Sequence, residues 1–144
     1  MRLLLLMVFA AGCSSLADAV NEPGSWTVTF LRVTGYETTG PAPEYPTRVM
    51  TAPTVNPSGC TAGCDCRWVP AVSHSYDDDN GTHPSYTTGG FTETCDPAST
   101  ILDCLTDFDS ATHATGSCQL DRQPRSLGST LASYRINLTR VSRD

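Results

Sequence analysis

Oxygen and sulfur ligands gather in the middle of the chain, and they suggest metal chemistry in two ways. Asp77-Asp78-Asp79-Asn80-Gly81 is an oxygen-rich run closing on a glycine, as calcium-holding loops do. With Gly81 set on the turn glycine of a helix-loop-helix calcium site, Tyr76 takes the place of the first aspartate and Thr87 that of the final bidentate glutamate. Both ends of the motif fail. Asp77, Asp79 and Asn80 are therefore a weak calcium candidate, and the expected structure is a solvated acidic turn on Asn80-Gly81. Cys60, Cys64 and Cys66, with His74 or His83 nearby, offer the thiolates and imidazoles that zinc prefers, but without the C-x-x-C spacing of its usual knuckles. His74, His83 and His113 allow a hydrolase triad on paper, yet neither a G-x-S-x-G elbow nor an H-E-x-x-H helix is present. No catalytic residue, metal or cofactor is assigned.

The first thirteen residues are more specific. Arg2 precedes an apolar run, Leu3 to Ala11, which ends in Gly12 and Cys13. Such a run is far short of the roughly 20 residues that span a bilayer, and with its basic start it reads as a secretory signal peptide over 1–12. Ala10-Ala11-Gly12-Cys13 resembles the lipobox of bacterial lipoproteins, although Ala10 stands where leucine is commonest. The resemblance covers the leader alone. It implies a diacylglycerol on the Cys13 thiol and a new N-terminus at the Cys13 amine, followed by a tether over 13–24. Ser14 and Ser15 after the anchor resemble the pattern of lipoproteins sent to the outer membrane or cell surface. A second signal, Ala17-Asp18-Ala19, is an A-x-A site that would instead release a soluble secreted protein starting at Val20.

Setting Cys13 aside leaves Cys60, Cys64, Cys66, Cys95, Cys104 and Cys118, an even set that predicts three disulfides in an exported domain. Cys64 and Cys66 are one residue apart, so in an extended chain their α-carbons lie near or beyond the reach of a disulfide. They must bond to different partners. Most bridges are expected to run from the 60–66 cluster to Cys95, Cys104 and Cys118.

The residues left after processing suffice for one small core, so a single β-rich domain is expected over 25–144. All nine basic residues are arginine and the net charge is −6. Residues 60–121 hold the acidic excess, and the last segment is basic. An acidic centre repels phosphate backbones, so nucleic acid is not an expected partner.

Alternation places the scaffold elements. Ser25–Thr34 puts Trp26, Val28 and Phe30 on one face, with a change of phase at Leu31 that suggests a bulge. Ser133–Ser142 puts Tyr134, Ile136 and Leu138 on one face, and the two segments are expected to be sheet neighbours. Five prolines between Pro41 and Pro57 call for loops or an edge strand. Arg67–Val72 and Tyr86–Thr94 read as strands joined by the acidic turn. Asp96 as N-cap, Pro97 at the first position, and Ile101, Leu102, Leu105 and Phe108 at helical spacing predict one short helix over 96–108. The fold class is mostly β: a small disulfide-braced sandwich or partly open barrel, with Trp26 and Trp68 as core anchors.

Two functions fit these readings. The first is an exported, lipid-anchored, non-catalytic binding or structural module, partnered by the membrane through its anchor and by a protein, glycan or small ligand. The alternative is a soluble secreted hydrolase-like enzyme using a histidine and a carboxylate.

Overall fold

The computed structural model describes residues 15–33, 43–52, 58–81, 84–96, 100–123 and 130–143. The leader, Cys13 with its lipobox, His83 and Pro97 lie outside them. After a short helix α1 (Leu16–Val20) come seven strands: β1 (Gly24–Val33), β2 (Arg48–Ala52), β3 (Cys64–Ser75), β4 (Ser85–Cys95), β5 (Thr100–Ser110), β6 (His113–Arg122) and β7 (Thr130–Arg143). They form one sheet in the order β2-β1-β7-β6-β5-β4-β3, antiparallel throughout.

The sheet curls strongly. β1 and β3 are five places apart in that order, yet Trp26 and Trp68 stack across the interior with centroids 6.4 Å apart. A flat sheet would hold them far out of contact, since neighbouring strands are about 4.8 Å apart. Of the two expected architectures, the partly open barrel describes the molecule. Its concave face is built by strict alternation: Trp26 and Val28, Leu102, Cys104 and Phe108, Cys118 and Leu120, and Tyr134, Ile136 and Leu138 are all buried. Gly116 sits where β5 passes close, and a Cβ there would come within 2.1 Å of the Leu105 carbonyl oxygen.

The first and last strands are neighbours, as their patterns suggest, with Val28 opposite Leu138 and Phe30 opposite Ile136. The irregularity in β1 falls between Ser25 and Trp26 rather than at Leu31. Of the helix expected over 96–108, residues 100–108 are instead part of strand β5, and 97–99 lie outside the described residues. Leu102, Cys104, Thr106 and Phe108 alternate inward, and the Leu105 of the supposed helical stripe is 63% exposed. Period two wins because Cys104 must face Cys118 on the adjacent strand. The helix that does form lies within the stretch read as a tether. Ser15 caps α1 in a reciprocal box with Asp18, and Ala17 and Val20 are buried in the core, so this segment belongs to the folded unit.

Both sheet edges carry protection. Ser58–Gly63 runs back along β2 as a strap. The Ser58 amide donates to Thr51 Oγ1, and Gly59, at φ 89°, passes so close to Val49 that a Cβ would lie 1.9 Å from its carbonyl oxygen. On β3, Pro70 falls in the irregularity between Val69 and Val72, and there the Asn21 side chain imitates a neighbouring strand. Its Nδ2 donates to the Ala71 carbonyl at 2.9 Å while its Oδ1 accepts from the Ala71 amide at 2.8 Å.

One polar group sits awkwardly in this core. Thr106 is fully buried, and its hydroxyl has no hydrogen-bond partner among the described residues. Thr106→Val keeps the shape and removes the desolvation cost, so we expect it to stabilise the fold by about 1 kcal/mol in urea unfolding. A loss of stability would mean that the hydroxyl is satisfied in solution.

Candidate functional site

The strand directions give the curled sheet two distinct ends. α1 packs at the end holding the start of β1, the close of β7 and the β5–β6 turn, because Arg140 binds both α1 and the Ala111 carbonyl. The opposite end holds the start of β3, the close of β4 and the start of β5, where Cys64 faces Cys95 and Cys95 faces Thr100.

A buried ion pair organises that second end. Arg48 Nη1 on β2 donates to Glu93 Oε2 on β4 at 2.6 Å, with the glutamate side chain wholly enclosed. Glu93 also accepts from the Thr61 amide at 3.0 Å and from its hydroxyl at 2.6 Å. One carboxylate thus draws the edge strand, the strap and the opposite side of the sheet together. The Arg48 guanidinium lies over Phe30 at 5.0 Å, Phe91 at 5.6 Å and Tyr45 at 5.8 Å, an aromatic surround suited to a weakly hydrated cation.

Two disulfides brace the same region. Cys60 pairs with Cys66, fixing the strap to β3, and Cys64 pairs with Cys95 across β3 and β4. The third, Cys104 with Cys118, spans directly opposed residues of β5 and β6. Cys64 and Cys66 do take different partners. Only Cys64 reaches outside the 60–66 cluster, which corrects the expectation that most bridges would leave it: the strap brings Cys60 back beside Cys66, and Cys104 and Cys118 already face each other.

Between the strap and residues 43–46 lies an open cavity of about 430 Å³, lined among others by Tyr45, Pro46, Ala62, Cys95, Asp96 and Thr100. A smaller recess of about 270 Å³ adjoins it, sharing Glu44 and Tyr45 and adding Arg32. Tyr134 Oη donates to the Pro43 carbonyl at 2.6 Å and holds the 43–46 segment in place. Burial raises the pKa of Tyr45 above its ordinary value, and the nearby Tyr134 and Glu93 add to this while Arg48 opposes it. Burial raises Tyr134 in the same sense, opposed by Arg32. With folded values above the unfolded 10.0, both phenols favour the folded state fully below that pH, and the contribution is lost as pH rises. Reversible unfolding followed from about pH 9 to about pH 11 should show stability falling past pH 10, and Tyr45→Phe should flatten the fall. An equal slope in both proteins would show that Tyr45 ionises freely in the fold.

The other sequence candidates are placed elsewhere. Asp77, Asp79 and Asn80 are exposed in the β3–β4 turn, where Asp78 Oδ1 accepts from the Asn80 amide and Gly81 adopts φ 72°. Neither Asp77 nor Asp79 joins a convergent group of ligating atoms among the described residues. Cys60, Cys66 and Glu93 do converge, as do Cys64, Cys95 and Glu93, with ligating atoms within 4.8 Å of one another. All four sulfurs are held in disulfides, so they present no thiolate to a metal. His74 lies at the other end of β3 from this cluster, stacked on Tyr86 at 4.8 Å and 3.0 Å from Thr88 Oγ1. His113 Nδ1 meets Asp109 Oδ2 at 2.6 Å on the exposed β5–β6 turn.

Glu93 and Arg48 carry the site, and the sequence reading singled out neither. One signal was available: Glu93 shares the inward parity of Phe91 on a strand legible from its β-prone residues. No protein-family model matches the chain, and no curated protein is significantly similar to it. Among the described residues no helix is long and apolar enough to cross a membrane.

Proposed function

We propose that the mature protein is an exported, non-catalytic binding module, held on the cell envelope by lipid on Cys13, with the cavity beside Tyr45 as its ligand site. The observation that carries the reading is the packing of α1. Processing at the alternative site would cut between Ala19 and Val20, within the helix. It would remove the Ser15 cap and the buried Ala17, and it would sever the segment whose carbonyls Arg140 holds. Processing before Cys13 leaves the whole folded unit intact. It also sets the lipid two residues from the Ser15 cap, so α1 lies close to the membrane and the cavity opens at the far end of the sheet.

The Asp109–His113 pair favours the second reading, a secreted hydrolase, because a carboxylate on Nδ1 is how catalytic histidines are oriented. Both side chains flank the β5–β6 turn and are open to water, His113 at 37% and Asp109 at 63% exposed. Fractionation of the native host tests the leading reading: wild type should remain with membranes and Cys13→Ser should become soluble with its fold unchanged. Wild type in the soluble fraction would overturn the anchor.

A further inference from the structure

We infer that the cavity beside Tyr45 takes a small organic cation, an ammonium carried on an apolar body; this rests on the binding-module reading above. The volume of about 430 Å³ lies within the range of small-ligand sites, roughly 300–1,000 Å³. Pro43, Tyr45, Pro46, Ala62 and the Cys64–Cys95 bridge give it an apolar lining, which favours a ligand with a hydrophobic body.

Charge selects the sign. Among the described residues, the ionisable groups that line the cavity are Glu44, Glu93 and Asp96, with no basic side chain beside them. Glu93 is matched by Arg48 from behind, which leaves the carboxylates of Glu44 and Asp96, both on exposed residues, at the rim. Arg32 shares the adjoining recess with Glu44 but does not reach the cavity lining. Tyr45 contributes a ring of the kind that already attracts a cation here, since the Arg48 guanidinium lies 5.8 Å from its centroid. An anion of the same shape would meet these two carboxylates and, among the described residues, no cation in the lining. The two disulfides fix the strap and the β3–β4 wall, so a ligand meets a preformed site and little ordering entropy opposes it.

The test is titration of the isotope-labelled, fully processed chain, purified from its host in detergent micelles, with phenethylammonium, phenylethanol and phenylacetate in turn. Saturable amide shifts at Ala62, Gly63, Cys95 and Thr100 are expected with phenethylammonium, at least about tenfold tighter than with phenylacetate. Glu44→Gln and Asp96→Asn should each weaken it by about 2- to 5-fold, as partly exposed charge pairs do. If the three compounds bind the cavity equally, the preference for a cation is overturned while the binding-module reading stands. If none shifts those amides, or if shifts spread over the acidic surface without saturating, the cavity is not a ligand site and both fall together.

Discussion

Glu93→Gln should destabilise the protein by about 3–5 kcal/mol, a large share of a small domain's stability. The amide keeps the shape of the carboxylate and still accepts one bond, but it removes the only countercharge within 4 Å of the Arg48 guanidinium among the described residues. A cation enclosed by Phe30, Tyr45 and Phe91 cannot recover its hydration, so its solvation cost falls on the folded state. One of the two bonds that Glu93 accepts from Thr61 on the strap is lost as well. Pairing Glu93→Leu with Arg48→Met should recover most of the loss, because an apolar pair of similar volume replaces two charges that cost free energy to bury. A double-mutant cycle in urea isolates the coupling. If Glu93→Gln alone costs under about 1 kcal/mol, the pair is hydrated in solution and does not close the sheet.

Arg140→Met should cost about 3 kcal/mol and lower the melting temperature by roughly 10–15 °C. The Arg140 guanidinium, nearly buried, donates to the carbonyls of Ala19 at 2.7 Å and Val20 at 3.3 Å, and also to that of Glu22. These oxygens end α1 and the turn after it, and the helix itself supplies them no donor. The same guanidinium lies 5.0 Å from the Trp26 ring, so methionine keeps part of the packing and loses the charge-assisted bonds. Hydrogen exchange locates the damage: protection at Ala19 and Asn21, whose amides bond to Ser15 and Ala17, should fall before that of the central strands. Uniform loss across the sheet would mean that Arg140 braces β7 rather than α1.

Strands with a clean alternation were legible from the residues alone. β1 and β7 followed directly from Trp26, Val28 and Phe30 and from Tyr134, Ile136 and Leu138, and the β3–β4 hairpin from its two β-prone runs around an acidic turn. β5 was not, because Ile101, Leu102, Leu105 and Phe108 fit a helical stripe as well as Leu102, Cys104, Thr106 and Phe108 fit a strand. Local spacing cannot decide between them, whereas pairing with β6 does. β6 itself gives a weak signal, with Gly116 and Ser117 at its centre and Ala114 as its first inward residue.

Long-range polar contacts were less legible still. Arg48 and Glu93 are 45 residues apart and meet only because the sheet curls, and Arg140 is 121 residues from the carbonyl it binds most closely among those of α1. The cysteines announced disulfides by number and spacing, but their pairing required the strap, which turns on Gly59. α1 was hidden because Leu16–Val20 overlaps an A-x-A processing signal, and a segment read as leader or tether is set aside from the fold.

One measurement bears most directly on the account of an anchored, disulfide-braced module. The protein is purified from its native host, alkylated without reduction, and its intact mass and N-terminal peptide are determined. The expected N-terminal peptide begins at Cys13 and carries the mass of an attached diacylglycerol, with no alkylated cysteine elsewhere. A peptide beginning at Val20, or label on Cys60, Cys64 or Cys66, would contradict it.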